Sequence, residues 1–295
     1  MGHVPVLVGE VLEYLRPARG GVFVDCTVGP GGHARAMLEA GETRVIGIDR
    51  DLDALHEART TLAPWIDRVE LVHADYRELD EVLDTRGIER IDGALADLGM
   101  SSLQIEAPGR GFSFQRDEPL DMRMDRTRGE TAAALLARAS ETELADAIFR
   151  YGEERYSRRI ARAIVQARQQ QPIATTGRLA ATVRRVVPAP RRFRARIDPA
   201  TRTFQALRIW INRELEGLDR FLESAARRLH AGARIVVITF HSLEDRIVKR
   251  TLRALEKSDV ARVRVLTKKP LVAGDEERER NPRSRSAKLR AAERL

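Results

Sequence analysis

Val22-Phe23-Val24-Asp25-Cys26-Thr27-Val28-Gly29-Pro30-Gly31-Gly32-His33 runs from a short apolar segment through an acid into a glycine turn and the start of a helical pattern. An apolar β-branched run before clustered glycines predicts a buried parallel strand, and the turn after it exposes backbone N–H groups at a helix start. Turns of this kind cradle cofactors. Gly29, Gly31 and Ala34 also fit the loose dinucleotide spacing G-x-G-x-x-G/A, and Asp49 follows about twenty residues later, where a ribose-binding acid belongs.

Asp25 separates the ligand classes. At the mouth of the turn a carboxylate would repel a pyrophosphate and attract the ammonium of S-adenosylmethionine. A methyl donor is therefore favoured over NAD, and both stay open on this stretch alone.

Outward from the turn, strands over 22–26, 44–48, 69–72 and 91–98 alternate with helices over 33–39, 52–62 and 79–85. That alternation predicts a parallel, doubly wound α/β sheet with ligands beyond the carboxyl ends of its strands. Asp25, Asp49, Asp75 and Asp97 each stand at such an end. A single acid there is usually a cap or turn former, but four in succession point to one crevice facing a ligand rich in donors. Before the first strand, the spacing of Val8, Val11, Leu12 and Leu15 predicts a helix, expected as a lid or an edge.

From about Glu106 the pattern changes to an ordered loop and then to helices over 131–138, 141–151, 157–168 and 177–187, with no strand between them. This predicts an inserted all-helical domain that ends in the basic loop Arg191-Arg192-Phe193-Arg194-Ala195-Arg196. The expected organisation is a first sheet segment at 1–105, a helical insertion at 106–200 and a second sheet segment at 201–295. The second sheet segment is expected to hold a long helix over 203–229, a buried strand over 234–240 and a final strand over 261–267. The charge-dense tail from Asp275 is expected to be ordered only at its ends or on RNA.

The chain has 295 residues and a formal net charge of +8, with nearly all of its cations arginine. Arginine presents a flat fork of donors suited to phosphate, which points to a nucleic-acid partner, although a solvated basic surface gives the same composition. The single cysteine, Cys26, excludes an internal disulfide and a cysteine-rich metal site. No histidine, cysteine and acid spacing marks a metal site, and none is expected. No apolar stretch approaches the ~20 residues of a membrane span, and no secretory leader is visible, so a cytoplasmic protein is expected.

Blocks of sequence along almost the whole chain resemble the RsmH (MraW) family. They include His3-Val4-Pro5-Val6-Leu7, Gly29-Pro30-Gly31-Gly32-His33, Asp97-Leu98-Gly99-Met100-Ser101-Ser102, Arg110-Gly111-Phe112-Ser113-Phe114 and Pro119-Leu120-Asp121-Met122-Arg123-Met124. Tyr151-Gly152-Glu153-Glu154-Arg155, Thr201-Arg202-Thr203-Phe204-Gln205, Phe240-His241-Ser242-Leu243-Glu244-Asp245 and Asn281-Pro282-Arg283-Ser284-Arg285 continue the match in order. The resemblance implies a Rossmann-like class I S-adenosylmethionine methyltransferase that methylates N4 of a cytidine in 16S ribosomal RNA of the small subunit. It places cofactor contacts on Gly31, Gly32, His33, Asp49, Tyr76, Asp97 and Gln104. Two positions depart from the family pattern: Leu103 stands where proline is usual, and Tyr76 where phenylalanine is common.

The residue chemistry agrees with that implication. Asp49 can accept from ribose hydroxyls, Tyr76 can flank adenine, and Asp25 and Asp75 are further candidates for the ammonium and the adenine edge. Asp97 is the candidate catalytic residue, placed to receive the proton of a poorly nucleophilic amine, with Ser101 and Ser102 shaping the pocket. His241 is either a structural hydrogen-bonder or a second reach into the crevice, where Phe240 could stack on an extruded base. The expected RNA surface comprises Arg191, Arg192, Arg194, Arg196, Arg202, Arg283, Arg285, Lys288 and Arg290. A noncatalytic ribosome-assembly factor, a nucleotide-dependent oxidoreductase and a homodimer are left open.

Overall fold

In chain order, Val8–Leu15 forms α1, Gly21–Asp25 β1, Gly32–Ala40 α2, Thr43–Asp49 β2, Leu52–Thr61 α3, Val69–His73 β3, Leu79–Asp84 α4 and Ile91–Asp97 β4. Six helices follow: α5 (Ser102–Glu106), α6 (Ala132–Arg138), α7 (Glu141–Gly152), α8 (Ser157–Gln170), α9 (Thr176–Val186) and α10 (Ala200–Asn212). The chain closes with α11 (Leu218–Arg228), β5 (Leu229–Thr239), α12 (Ser242–Leu255), β6 (Val263–Val265), α13 (Asp275–Arg280) and β7 (Lys288–Arg294). The computed structural model describes residues 5–188 and 198–295, and the chain divides into two units, Met1–Ser101 with Leu215–Leu295, and Ser102–Glu214.

The first unit is a Rossmann-like α/β fold around a mostly parallel seven-stranded sheet in the order β3-β2-β1-β4-β5-β7-β6. Among the described strands, β7 alone runs opposite to the rest, pairing antiparallel with β5 and β6. Strand residues alternate between the two faces, as the pleat requires. Val24, Ile46 and Ile235 pack with α4, α11 and α12, whereas Phe23, Val45, Leu95 and Val236 pack with α1, α2 and α3. Burial on both faces explains why these strands read as continuous apolar runs. α1 is neither lid nor edge: its buried Val11 and Leu15 join the same core as Phe23 and Val236.

Two expectations for the later chain are overturned. The charge-dense tail is ordered, and β7 sits between β5 and β6 with Leu289, Ala291 and Ala292 fully buried. Its charges hide this role in the sequence, but they are neutralised in place: Arg290 donates to Asp245 at 2.7 Å, and Glu293 accepts from Arg234 at 2.9 Å. The expected strand over 261–267 is correspondingly short, spanning Val263–Val265. The long helix expected over 203–229 is two helices in different units, α10 and α11. Arg213 takes the left-handed conformation with φ 50° and ends α10, so that Glu214 turns back to pair with Arg208 at 2.8 Å through both oxygens.

In the second unit the expected helices are present, and several are entered through hydroxyl caps. Thr131, Ser140 and Thr175 accept backbone N–H groups at the starts of α6, α7 and α9. The ordered loop before α6 is held internally. Glu118 accepts from Gly109 at 2.9 Å and from Gly111 at 3.0 Å. Asn212 of α10 accepts from Met124 N–H at 2.7 Å and donates to Met122 O at 2.8 Å. α10 thus packs with the helices of this unit, which corrects the expectation that the chain rejoins the sheet from 201 onward. Among the described residues no helix is long and apolar enough to cross a membrane.

Because β7 is an interior strand, shaving Leu289 leaves a void in the sheet core. Leu289→Ala should cost about 2–4 kcal/mol in urea unfolding, whereas a solvated tail would give a change near zero.

Candidate active site at the switch point of the sheet

β1 is flanked in space by β4 on one side and β2 on the other, so the winding of the sheet reverses between β1 and β4. Crevices at such a reversal, beyond the carboxyl ends of the strands, are where open α/β sheets bind ligands. Asp25 ends β1 and Asp97 ends β4, one on each side of it. Thr27 ties the two ends together: its N–H donates to Asp25 Oδ1 at 3.2 Å, and its Oγ1 accepts from Asp97 N–H at 2.7 Å. Sequence reasoning missed Thr27, whose only signal is a hydroxyl two residues past the strand-end acid.

Asp25 is buried and Asp97 partly so, and each has one oxygen with too few donors. Asp25 Oδ2 and Asp97 Oδ1 are solvent-inaccessible and have no hydrogen-bond partner among the described residues. Burial pushes the Asp25 carboxyl up to about 7, partly offset by His33 and the Thr27 N–H and reinforced by Asp97 and Asp49. Burial likewise raises Asp97 to about 7, and Glu244 adds to the rise. Asp49, at the end of β2, accepts from Gly29 N–H at 2.8 Å through Oδ2 and from Asp51 N–H at 2.9 Å through Oδ1. Burial raises it to about 6 against those two bonds.

His33 enters the same crevice from the first turn of α2. Its Nε2 lies 2.8 Å from Val6 O and its Nδ1 3.7 Å from Asp97 Oδ2. Burial lowers its pKa against the raising effects of Asp25, the Val6 carbonyl and Glu277. Val6 is held in turn through the neighbouring Leu7, whose N–H donates to Glu277 Oε1 at 2.8 Å. Glu277 belongs to the tail segment, and no sequence signal points to it.

The glycine turn has a packing reason of its own. Gly31 caps α2 at φ 92°, and a Cβ there would come 3.0 Å from Leu62 Cγ. One on Gly32 would come 3.0 Å from Pro5 Cγ. The space beside these glycines is filled by the chain itself, so what they can offer a ligand is backbone.

Tyr76 is buried, with its ring 4.9 Å from that of Phe221 and tilted by 60°. Asp75 is committed elsewhere: Arg77 binds both of its oxygens at 2.7 Å and Arg50 approaches to 3.4 Å, which holds its pKa below the usual range despite burial. Its expected place at an adenine edge is therefore taken by arginine. His241 takes the structural role: Nδ1 accepts from Glu244 N–H at 3.4 Å and caps α12. Gln104 is buried on α5, in the second unit. Ser102 begins that helix, and Ser101 ends the first segment of the sheet unit.

Of the expected RNA surface, Arg191, Arg192, Arg194 and Arg196 lie outside the described residues, as do His3 and Val4. Arg202 and Arg285 are exposed, and Arg283 and Lys288 are half-buried. Arg290 is not on the surface: it is 4% exposed and bound to Asp245.

The strand order and mostly parallel sheet are those of a Rossmann-like class I methyltransferase. The chain belongs to the MraW methylase family, whose model matches residues 1–295. The ribosomal RNA small subunit methyltransferase H of Sorangium cellulosum is 54% identical over 293 residues, which cover 99% of this chain and 91% of that one. The protein of the same name from Thermotoga neapolitana is 51% identical, over 99% of this chain and 95% of its own. A solved rRNA methylase from Streptococcus thermophilus aligns over 100% of this chain and 99% of its own, at 11% identity and a TM-score of 0.43.

Asp25 and Asp97 bind protons in the folded state that they release when unfolded, because their folded pKa values lie above 3.8, at about 7. Their contribution therefore destabilises the ligand-free fold as pH rises from about 4 through 7. Thermal denaturation of the ligand-free protein should show a fall in Tm as pH rises from about 5 to 7 that Asp25→Asn reduces. An equal fall in both proteins would contradict this assignment.

Proposed function

We propose that the protein transfers a methyl group from S-adenosylmethionine to the exocyclic N4 amine of a cytidine in 16S ribosomal RNA. The observation that carries the reading is the pair of orphaned, buried carboxylate oxygens flanking the switch point, Asp25 Oδ2 and Asp97 Oδ1. Such oxygens suit a ligand that brings positive charge and several N–H and O–H donors, and an anionic pyrophosphate would meet them unfavourably. The family relationship and the names of the relatives support the ribosomal substrate.

In this reading Asp25 faces the ammonium group of the methyl donor, and Asp49, with both oxygens already oriented by backbone N–H groups, accepts from its ribose hydroxyls. Gly31 and Gly32 meet the methionine portion with their backbone, Tyr76 flanks the adenine, and His33 and Gln104 complete the contacts. When bound, the donor supplies an electrophilic methyl group on a sulfonium. Asp97 accepts a hydrogen bond from the cytosine amine, aligns it and takes its proton as the nitrogen becomes bonded to carbon. The lone pair of that amine is delocalised into the ring, so orientation and proton removal are what the site must provide.

The helical unit and the basic loop 191–196 serve substrate recognition, with Arg202 and Arg285 as exposed phosphate contacts. A cytosine extruded from its stack would enter the crevice. A ribosomal substrate places the protein in the cytoplasm.

Incubation of undermethylated small subunits with the protein and the donor, followed by nucleoside mass spectrometry, should yield N4-methylcytidine; no methylated cytidine would refute the assignment. Asp97→Ala should lower the single-turnover rate by about 100-fold or more while RNA affinity stays within about threefold. Donor affinity, measured by calorimetry, should weaken as pH falls below about 7, where Asp25 and Asp97 take up protons. RNA binding should weaken steeply with salt, and a flat response would argue against phosphate contacts.

A further inference from the structure

The contact between His33 and Asp97 constrains where a proton can sit. Val6 O can only accept, so the His33 Nε2 that lies 2.8 Å from it must carry a hydrogen and donate. Burial disfavours the imidazolium, so the other ring nitrogen, Nδ1, presents a bare lone pair. That lone pair faces Asp97 Oδ2 at 3.7 Å, beyond hydrogen-bond distance. Two acceptors are thus held face to face, with space for them to close on one hydrogen.

Acidic neighbours surround the pair and raise its affinity for protons. Asp25 at the end of β1 and Glu277 on α13 act on His33, and Glu244 on α12 acts on Asp97; all three are acids. Asp97 is anchored through its own backbone N–H by Thr27 Oγ1, which leaves both carboxylate oxygens for other work. Oδ1 is the orphaned one and Oδ2 is the one that looks at His33.

We propose that His33 and Asp97 form a proton-relay dyad, in which Asp97 receives and holds the proton of the reacting amine and His33 Nδ1 accepts a hydrogen bond from the protonated carboxyl. This deepens, and rests on, the reading of the chain as an amine methyltransferase. The balance closes without a further reagent. The N4 lone pair forms the new N–C bond, the C–S bonding pair stays on sulfur, and N4 loses one proton to Asp97. The shared proton lies between Oδ2 and Nδ1 and leaves to water as the products depart. Asp97 is the catalytic member, and His33 acts through it as a positioning residue. The 2.8 Å Val6 contact fixes the ring's tautomer, so the strap from Pro5 to Leu7, pinned by Glu277, belongs to the proton path.

Two measurements test the dyad. In the wild-type protein, ¹⁵N NMR of the imidazole at pH 7.5 should show His33 as the Nε2–H tautomer with a bare Nδ1. A proton resident on Nδ1 in the ligand-free protein would overturn the proposal. His33→Gln keeps an amide donor for Val6 O and removes the base at Nδ1. At saturating S-adenosylmethionine it should lose about tenfold or more in single-turnover rate, beyond whatever it loses in donor affinity. Because Nδ1 favours the protonated form of Asp97, its loss should also move the acid limb of the pH–rate profile to lower pH. An unchanged rate and limb, or a rate loss matched by an equal loss of donor affinity, would overturn the dyad. Absence of N4-methylcytidine from the wild-type reaction would instead refute the activity beneath it, and the NMR result would stand apart from that failure.

Discussion

Two strand-end carboxylates, each with one buried oxygen that lacks a donor, are the constraint around which the carboxyl edge of the sheet unit is built. Asp25 and Asp97 occupy the place where the winding reverses, and Thr27 fixes both by a single residue's N–H and hydroxyl. A buried anion without a partner is costly, so the fold keeps these groups near the edge of ionisation instead of fully charged. In the proposed reading, a cationic, donor-rich ligand relieves that cost. Affinity for the ligand and strain in the free protein are then the same interaction seen from two sides.

The elements around this pair serve its geometry. β1, β2 and β4 bring three strand ends to one edge, and α2 begins close enough to carry His33 there. Leu62 and Pro5 fill the space that the glycines leave, so the turn is closed by packing before any ligand arrives. The helical unit is organised by different means. Its loop is held by Glu118 and Asn212, and its last turn by the Arg208–Glu214 pair, all internal to that unit. The two units are thereby held by separate sets of interactions.

The parallel strands are legible in the sequence because burial on both faces writes them as uninterrupted apolar runs, and the helices because their apolar stripes and hydroxyl caps are local. Asp25, Asp49 and Asp97 are legible as strand-end acids for the same reason. What escapes are features set by long-range pairing. β7 is disguised by Lys288, Arg290, Glu293 and Arg294; Arg290 and Glu293 become tolerable there only once Asp245, Arg234 and Arg264 stand beside them. The break between α10 and α11 is invisible to periodicity, since Phe204 to Leu222 keeps an apolar step while the backbone turns at Arg213. Asp75 misleads because two arginines, at 50 and 77, claim a carboxylate that position alone offers to a ligand. Glu277 carries no signal at all, and the role of the Val6 carbonyl shows only once the strap is folded.

The position of β7 also orders the assembly of the molecule in time. β6 pairs with β7 alone, and β7 is made after it, so during synthesis β6 has no partner while β5 presents an open edge. An unpaired edge of buried apolar residues is a site for association with other chains. The helical unit, whose contacts are local, can form before that edge closes, whereas the sheet must wait for pairing between segments separated by the entire insertion. Molecules halted between β6 and β7 are therefore the species that quality control has most reason to remove.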